Sequence, residues 1–369
     1  TPILEMADQD LWELVPSQEL PRTIHVQLLA GNDRVSSCPN CGPKLLKYGN
    51  YPWTCDVEKM PWKIKCPKCG AVYPKNDFGT YYRSALDKHG FFRRGAGDPK
   101  LLFNTDHPDP TNPLHKAWVD DGYGHDDPRT GRWDFVAYYV QWGLWPYIQS
   151  LVTKAAAAYC VTDDPRYAHK AGVLLSRIAD VYPDMDWAPL AKLSFSHSDG
   201  GAGAGRLGGQ IWEVGVALAY SLAYDQVYDA ISRDSALVTF LDQQARKHDL
   251  PPLPDPAAVC RHIEENLLLE FYKSARDGRL RGNEGMCQAA MIATAIALDR
   301  PGKTDEILDW VFAPDETPYR PLAPNYDRKG GHVPQVIIGM MDHDGLGSEG
   351  APGYSCWGLS LLTGAELLR

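Results

Sequence analysis

The stretch Asp164-Pro165-Arg166-Tyr167-Ala168-His169-Lys170-Ala171-Gly172-Val173-Leu174-Leu175-Ser176-Arg177-Ile178-Ala179-Asp180-Val181 has the marks of an amphipathic helix. Asp164 and Pro165 open it, and Ala171, Leu174, Leu175 and Ile178 fall on one face at helical spacing, predicting a helix over 166–181. On its N-terminal side, residues 135–159 are apolar and aromatic at the same spacing. On its C-terminal side, further helices are predicted over 210–231, 256–275 and 284–298. Loops of Gly, Pro and Asp join them, and no run of period two intervenes, so residues 133–369 read as an all-α body of paired helices. No short exact repeat appears, which does not support the common solenoid families. Leu367-Leu368-Arg369 fall within an apolar helical pattern, an ending expected of a body cut short and continued in a larger protein.

Before residue 133 the chain has a different character. Residues 1–37 read as an N-terminal arm packed on something larger, with Leu11, Trp12, Leu14, Val15, Ile24, Val26, Leu28 and Leu29 as its apolar contacts. Residues 38–82 are rich in Pro and Lys and carry two C-P-x-C-G sequences, Cys38 with Cys41 and Cys66 with Cys69, separated by 24 residues. That spacing predicts a zinc ribbon, in which each x-x turn aims two thiolates at one ion. Four thiolates leave no open coordination position, so the ion is expected to be structural rather than catalytic. Cys55, between the pairs, reads as a small buried hydrophobe. Two disulfides are the alternative use of the four sulfurs. Residues 83–132, dense in Gly, Pro, Asp and Asn, read as loops laid over a surface.

Across all 369 residues, 44% hydrophobic and 23% charged residues are ordinary globular usage, and no apolar run approaches the roughly 20 residues that span a bilayer. The net charge of −10 argues against general nucleic-acid binding. The charge is uneven: residues 38–100 hold 12 Lys and Arg against 5 Asp and Glu, so a basic module sits on an acidic body.

Three segments of the helical body have compositions that packing does not demand. In the first, Ser194-Phe-Ser-His197-Ser-Asp-Gly-Gly-Ala-Gly-Ala-Gly-Arg206-Leu-Gly-Gly-Gln210-Ile-Trp212-Glu213, a glycine run allows close approach by a ligand, with Arg206, Gln210, Trp212 and Glu213 at its mouth. Glu213 equally suits the electropositive start of a helix. The second, Arg281-Gly-Asn283-Glu284-Gly-Met-Cys-Gln288, leads into residues 289–298, which are apolar on every side and therefore expected to be buried. Asn283 there suits a helix cap or, with the helix amides, a carboxylate site. The third, Asp342-His-Asp344-Gly-Leu-Gly-Ser-Glu349-Gly-Ala-Pro352-Gly-Tyr354-Ser-Cys-Trp357, is a glycine-rich loop ending in a tyrosine before the last helical segment.

Together these segments resemble the heparinase II/III-like polysaccharide lyases. Asp163-Asp-Pro-Arg-Tyr-Ala168 with Ile178-Ala-Asp-Val-Tyr-Pro183 is similar to an early helical repeat of that family. Residues 213–229 are similar to a helix that carries a Glu and ends in Tyr-Asp. Asp344-Gly-x-x-x-Glu349-Gly-x-Pro352-x-Tyr354 is similar to the loop bearing the catalytic tyrosine. The resemblance implies an incomplete (α/α) toroid over 133–369, with a C-terminal β-sandwich domain that this chain lacks. It also implies β-elimination on an acidic, uronic-acid-containing glycan, with Tyr354 as Brønsted base and acid and Asn283 neutralising the uronate carboxylate. Ser355 stands where the family commonly has His, and the ribbon lies outside the family's core. Arg206 or His197 is the expected positive neighbour lowering the Tyr354 pKa; Gln210, Trp212, Glu213 and Glu349 complete the expected substrate-binding set. Trp133 is expected in the core. No organic cofactor is called for, and a secreted or periplasmic location suits such a substrate.

Two alternatives use the same residues. An (α/α) glycoside hydrolase would draw a carboxylate pair from Glu213, Glu284, Asp344 and Glu349. A non-catalytic glycan-binding module would need none of them for chemistry.

Overall fold

The computed structural model describes residues 2–28, 34–35, 37–42, 44–187, 204–283, 285–315, 328–339 and 356–369. The predicted first helix is built in three parts: α3 (Phe135–Tyr139), a π-helical turn (Val140–Leu144) and α4 (Trp145–Thr162). Asp163, in the left-handed conformation, ends α4, and Asp164 accepts the Arg166 amide at 3.0 Å to start α5 (Pro165–Val181). Two connecting residues leave no choice but an antiparallel pair. The predicted third helix begins three residues late, as α6 (Glu213–Ile231). Asp234 then caps α7 (Ser235–Lys247) through the Leu237 amide at 2.8 Å. This helix escaped the sequence reading although Leu237, Leu241 and Ala245 mark its buried face.

The predicted fourth helix is likewise divided by a π-helical turn: α8 (Pro256–Ile263), Glu264–Leu268 and α9 (Leu269–Arg276). Next come α10 (Met286–Leu298), α11 (Lys303–Phe312), α12 (Val333–Gly339) and α13 (Ser360–Leu368). Helix α10 is central, packing on α6, α11 and α13, while α6 packs on α4 and α5. Its apolar circumference is buried as its composition demands; its few polar groups pair locally, Thr294 Oγ1 lying 3.0 Å from Ser221 Oγ on α6.

The arm holds a helix, α1 (Asp8–Leu14), whose Leu11 and Trp12 are buried, and α2 (Phe78–Ser84) follows the cysteines. The Arg177 guanidinium lies 3.8 Å from the Trp12 ring centre, and Lys170 reaches both the Met6 carbonyl and Asp8 at 2.7 Å. Further along, β1 (Gln27–Leu28) joins a four-stranded sheet in the order β2-β1-β7-β6, with β2 (Arg34–Val35), β6 (His125–Asp127) and β7 (Gly131–Trp133). Strands of two or three residues give no readable alternation, which is why 83–132 looked like loop alone. Trp133 is in the core, as expected.

The cysteine module is a three-stranded antiparallel sheet, β3 (Thr54–Cys55), β4 (Ile64–Lys65) and β5 (Val72–Tyr73), in sequence order. It is docked on the helical body through aromatic contacts: Tyr73 stacks on Phe135 at 4.9 Å, and Trp62 meets Tyr139 at 5.7 Å. Cys55 lies against Gly143 in the π-helical turn, where a Cβ would come within 2.8 Å of the Cys55 Cβ. Burial raises the Cys55 thiol to about 12, so it packs there as a half-buried neutral group.

Candidate functional site

The two cysteine knuckles share one geometry. The Gly42 amide donates to the Cys38 carbonyl at 2.8 Å, and the Gly70 amide to the Cys66 carbonyl at 3.0 Å. Each turn closes on a glycine with positive φ, 64° at Gly42 and 73° at Gly70, a backbone conformation that side chains resist. The sulfurs of Cys38, Cys41, Cys66 and Cys69 lie within 4.8 Å of one another, and Cys38 Sγ is 3.8 Å from Cys69 Sγ. Ligands about 2.3 Å from a tetrahedral metal are separated by about 3.8 Å, whereas a disulfide needs about 2.05 Å. All four thiols are free, so the arrangement is compatible with a metal site and differs from that of two disulfides.

The segment entering α6 is described from Ala204 onward. The sequence put Arg206, Gln210 and Glu213 at the mouth of a ligand site; the structure buries all three, at 2%, 1% and 0% exposure. Glu213 reaches back from the first turn of α6 and accepts the Leu207 and Gly208 amides at 2.9 and 2.7 Å, with the Arg206 amide at 3.3 Å. Its other oxygen accepts the Tyr182 hydroxyl at 2.7 Å. The physical reason is local: a tight turn in a dry interior presents several amides at once, and a carboxylate satisfies them.

Arg206 is equally committed. It donates to Ser274 Oγ at 2.7 Å, to the Tyr182 and Pro183 carbonyls, and to the Glu270 carboxylate. Gln210 donates to the Gly278 carbonyl. Arg22, from the arm, crosses this cluster to the Arg206 carbonyl at 2.7 Å; burial lowers its pKa to about 10, with Glu213 and Asp186 opposing. These side chains lock the arm, α6 and α9 together. The carboxylate pair of a hydrolase therefore loses Glu213, whose oxygens are occupied by protein donors.

Asn283 and Trp212 have a different environment. The Arg281 amide donates to the Gln210 carbonyl at 3.1 Å, and a Cβ on Gly282 would come within 2.7 Å of the Val214 side chain. Only glycine at 282 lets this segment lie flat on the start of α6, and the contact brings the Asn283 segment beside that of Trp212. Asn283 was a candidate cap for α10, but Gly285 takes that place, its amide donating to Gln288 Oε1 at 2.8 Å. The Asn283 carbonyl accepts the Met286 amide at 3.1 Å. Its half-buried side-chain amide has no hydrogen-bond partner among the described residues.

Trp212 is half-buried and meets Trp142, from the π-helical turn, edge-on at 6.2 Å. Trp142 stacks on Tyr51 of the cysteine module at 4.4 Å. The sequence reading passed over both partners. Trp142 sat inside a run that looked uniformly buried, and Tyr51 in a ribbon read only for its cysteines. Tyr354, His197 and Glu349, with Glu284 and Asp344, lie outside the described residues.

Models of known protein families, curated proteins and solved structures give no match to this chain.

Proposed function

We propose that this chain is the helical part of a polysaccharide lyase of the heparinase II/III-like kind, acting outside the cytoplasm on an acidic, uronic-acid-containing glycan. In this reading the paired helices from α3 onward form an incomplete (α/α) toroid, and the four-cysteine site holds structural Zn²⁺. The observation that carries the proposal is the Asn283 amide: it is half-buried and makes no side-chain hydrogen bond among the described residues, in a segment whose Arg281 amide bonds the Gln210 carbonyl, two residues before the half-buried Trp212. A half-buried amide with donors to spare suits a uronate carboxylate.

The chemistry asks for little more. The C5 proton of a uronate lies next to a carboxylate whose negative charge resists a second one. Asn283 donates to that carboxylate and stabilises the enolate-like charge that develops as Tyr354 takes the proton. The electron pair of the C5–H bond forms the C4–C5 double bond, the C4–O4 bond breaks, and Tyr354 returns a proton to O4. A well-placed donor of this type is worth about 10²–10³ in kcat.

The test is the ultraviolet absorbance of the unsaturated uronate, measured over alginate, polygalacturonate, heparin and ulvan. Wild-type chain should generate it on at least one polymer, Asn283→Ala should cut kcat by about 10²–10³, and Tyr354→Phe should abolish it with binding kept. Reducing ends released without absorbance would assign the chain to hydrolysis; unchanged turnover in Tyr354→Phe would remove that residue from its role.

A further inference from the structure

The lyase reading leaves the cysteine module with no task beyond its own folding. Its position on the body suggests one. Tyr51 is 39% exposed and stacks at 4.4 Å, with 29° between the rings, on Trp142. Trp142 in turn meets Trp212 at 65°, and His25 of the arm approaches Tyr51 at 6.1 Å. Four elements far apart in the chain thus contribute to one aromatic surface: the arm, the cysteine module, the π-helical turn and the entrance to α6. The surface ends at Trp212, in the segment lying against that of Asn283. A π-helical turn is an uncommon device that recurs at functional sites, because its extra residue turns side chains off the helical register. Here the residue presented from it is Trp142.

Charge on the same module is complementary to a polyuronate. Three residues before Tyr51, Tyr48 is 43% exposed and the Lys47 ammonium lies 4.9 Å from its ring centre. The module's surplus of Lys and Arg belongs to a chain that is otherwise acidic. Aromatic faces with a cation beside them are what a chain of carboxylated sugar rings requires: apolar ring faces to stack and an anion to neutralise.

We infer that Tyr51, Trp142 and Trp212 form an extended glycan-binding platform, through which the metal-stapled module holds sugar units of an acidic polysaccharide next to the ring bound at Asn283. The inference rests on the acidic-glycan reading above and adds a binding role for a module outside the catalytic body. The geometry makes Tyr51 the informative position, since it is exposed and its loss opens no core cavity.

The experiment titrates the full, zinc-loaded chain by calorimetry with hexasaccharides of alginate, polygalacturonate and heparin, and with xylohexaose as neutral control. Wild type should bind at least one acidic hexamer and bind xylohexaose more weakly. Tyr51→Ala should weaken the acidic complex roughly fivefold to thirtyfold, while Tyr51→Phe, which keeps the stacking face, should stay within about twofold. Lys47→Ala should make binding less sensitive to salt. In turnover, Tyr51→Ala should raise KM and leave kcat unchanged, the mark of an interaction made equally in ground and transition states. Tyr51→Ala with wild-type affinity for every hexamer, or a wild type that binds none, overturns the platform. The two readings fail separately. Weakened binding in Tyr51→Ala without any ultraviolet product keeps the platform and discards the lyase, whereas ultraviolet product with Tyr51→Ala unaltered in affinity and KM does the reverse.

Discussion

Replacing Glu213 by alanine separates a residue that holds the fold from one that holds a ligand. The carboxylate is fully buried and accepts four hydrogen bonds: two short ones from Leu207 and Gly208, a longer one from the Arg206 amide, and one from the Tyr182 hydroxyl. Hydrogen bonds to a charged acceptor contribute about 1.5–3 kcal/mol each, and a buried donor left without a partner costs about 1–3 kcal/mol. The two short amide bonds dominate, because the Arg206 contact is stretched to 3.3 Å and the Tyr182 hydroxyl can turn elsewhere. The sum is about 3–6 kcal/mol, which overlaps the cost of removing one partner from a buried charged network. Glu213→Gln should cost only about 1–2 kcal/mol, since one oxygen can still face the amides and the new NH₂ can donate to the Tyr182 oxygen. Urea denaturation followed by circular dichroism measures both. A Glu213→Ala variant within about 1 kcal/mol of wild type would refute the anchoring role and restore Glu213 as a candidate for ligand contact.

Two more predictions concern the metal and the arm. Zinc supplied to metal-free protein should bind in a 1:1 ratio with absorption typical of thiolate ligation when cobalt replaces it, and Cys66→Ser should lose the metal and expose the module to protease; an elemental analysis with no metal in purified protein would defeat the assignment. His169 lies 2.7 Å from Asp234 and 3.0 Å from Asp8, and these partners, Asp234 first, raise its pKa above the ordinary 6.5 against the opposing effect of burial. A histidine raised on folding contributes stability that is complete below pH 6.5 and is lost as pH climbs through the folded value. The thermal midpoint should therefore fall on the alkaline side of 6.5, and His169→Gln should flatten that slope; parallel pH curves for the two proteins would show that the clamp between arm and body does not titrate.

Much of the helical architecture was readable because each helix carries its own instructions. Asp164-Pro165 and Asp255-Pro256 start helices within one residue of the positions expected, Asp255 accepting the Ala258 amide at 2.7 Å. The all-round apolarity of α10 announced its burial, and the C-x-x-C-G knuckles are local turns whose sulfur geometry follows from four residues each. These are short-range matters of hydrogen bonding, periodicity and backbone freedom, and they survive being read one segment at a time. The π-helical turns, the pairing of two-residue strands and the burial of Arg206, Gln210 and Glu213 were not open to that reading. A charged side chain beside a glycine run has the same sequence whether it faces water or a cluster of interior amides. The contact of Tyr51 with Trp142, 91 residues apart, exists only because the cysteine module docks on the turn before α4. Local preference chose the elements; the choice of which polar groups are spent inside and which aromatic faces meet at the surface was made by packing, since burial and juxtaposition belong to the assembled chain.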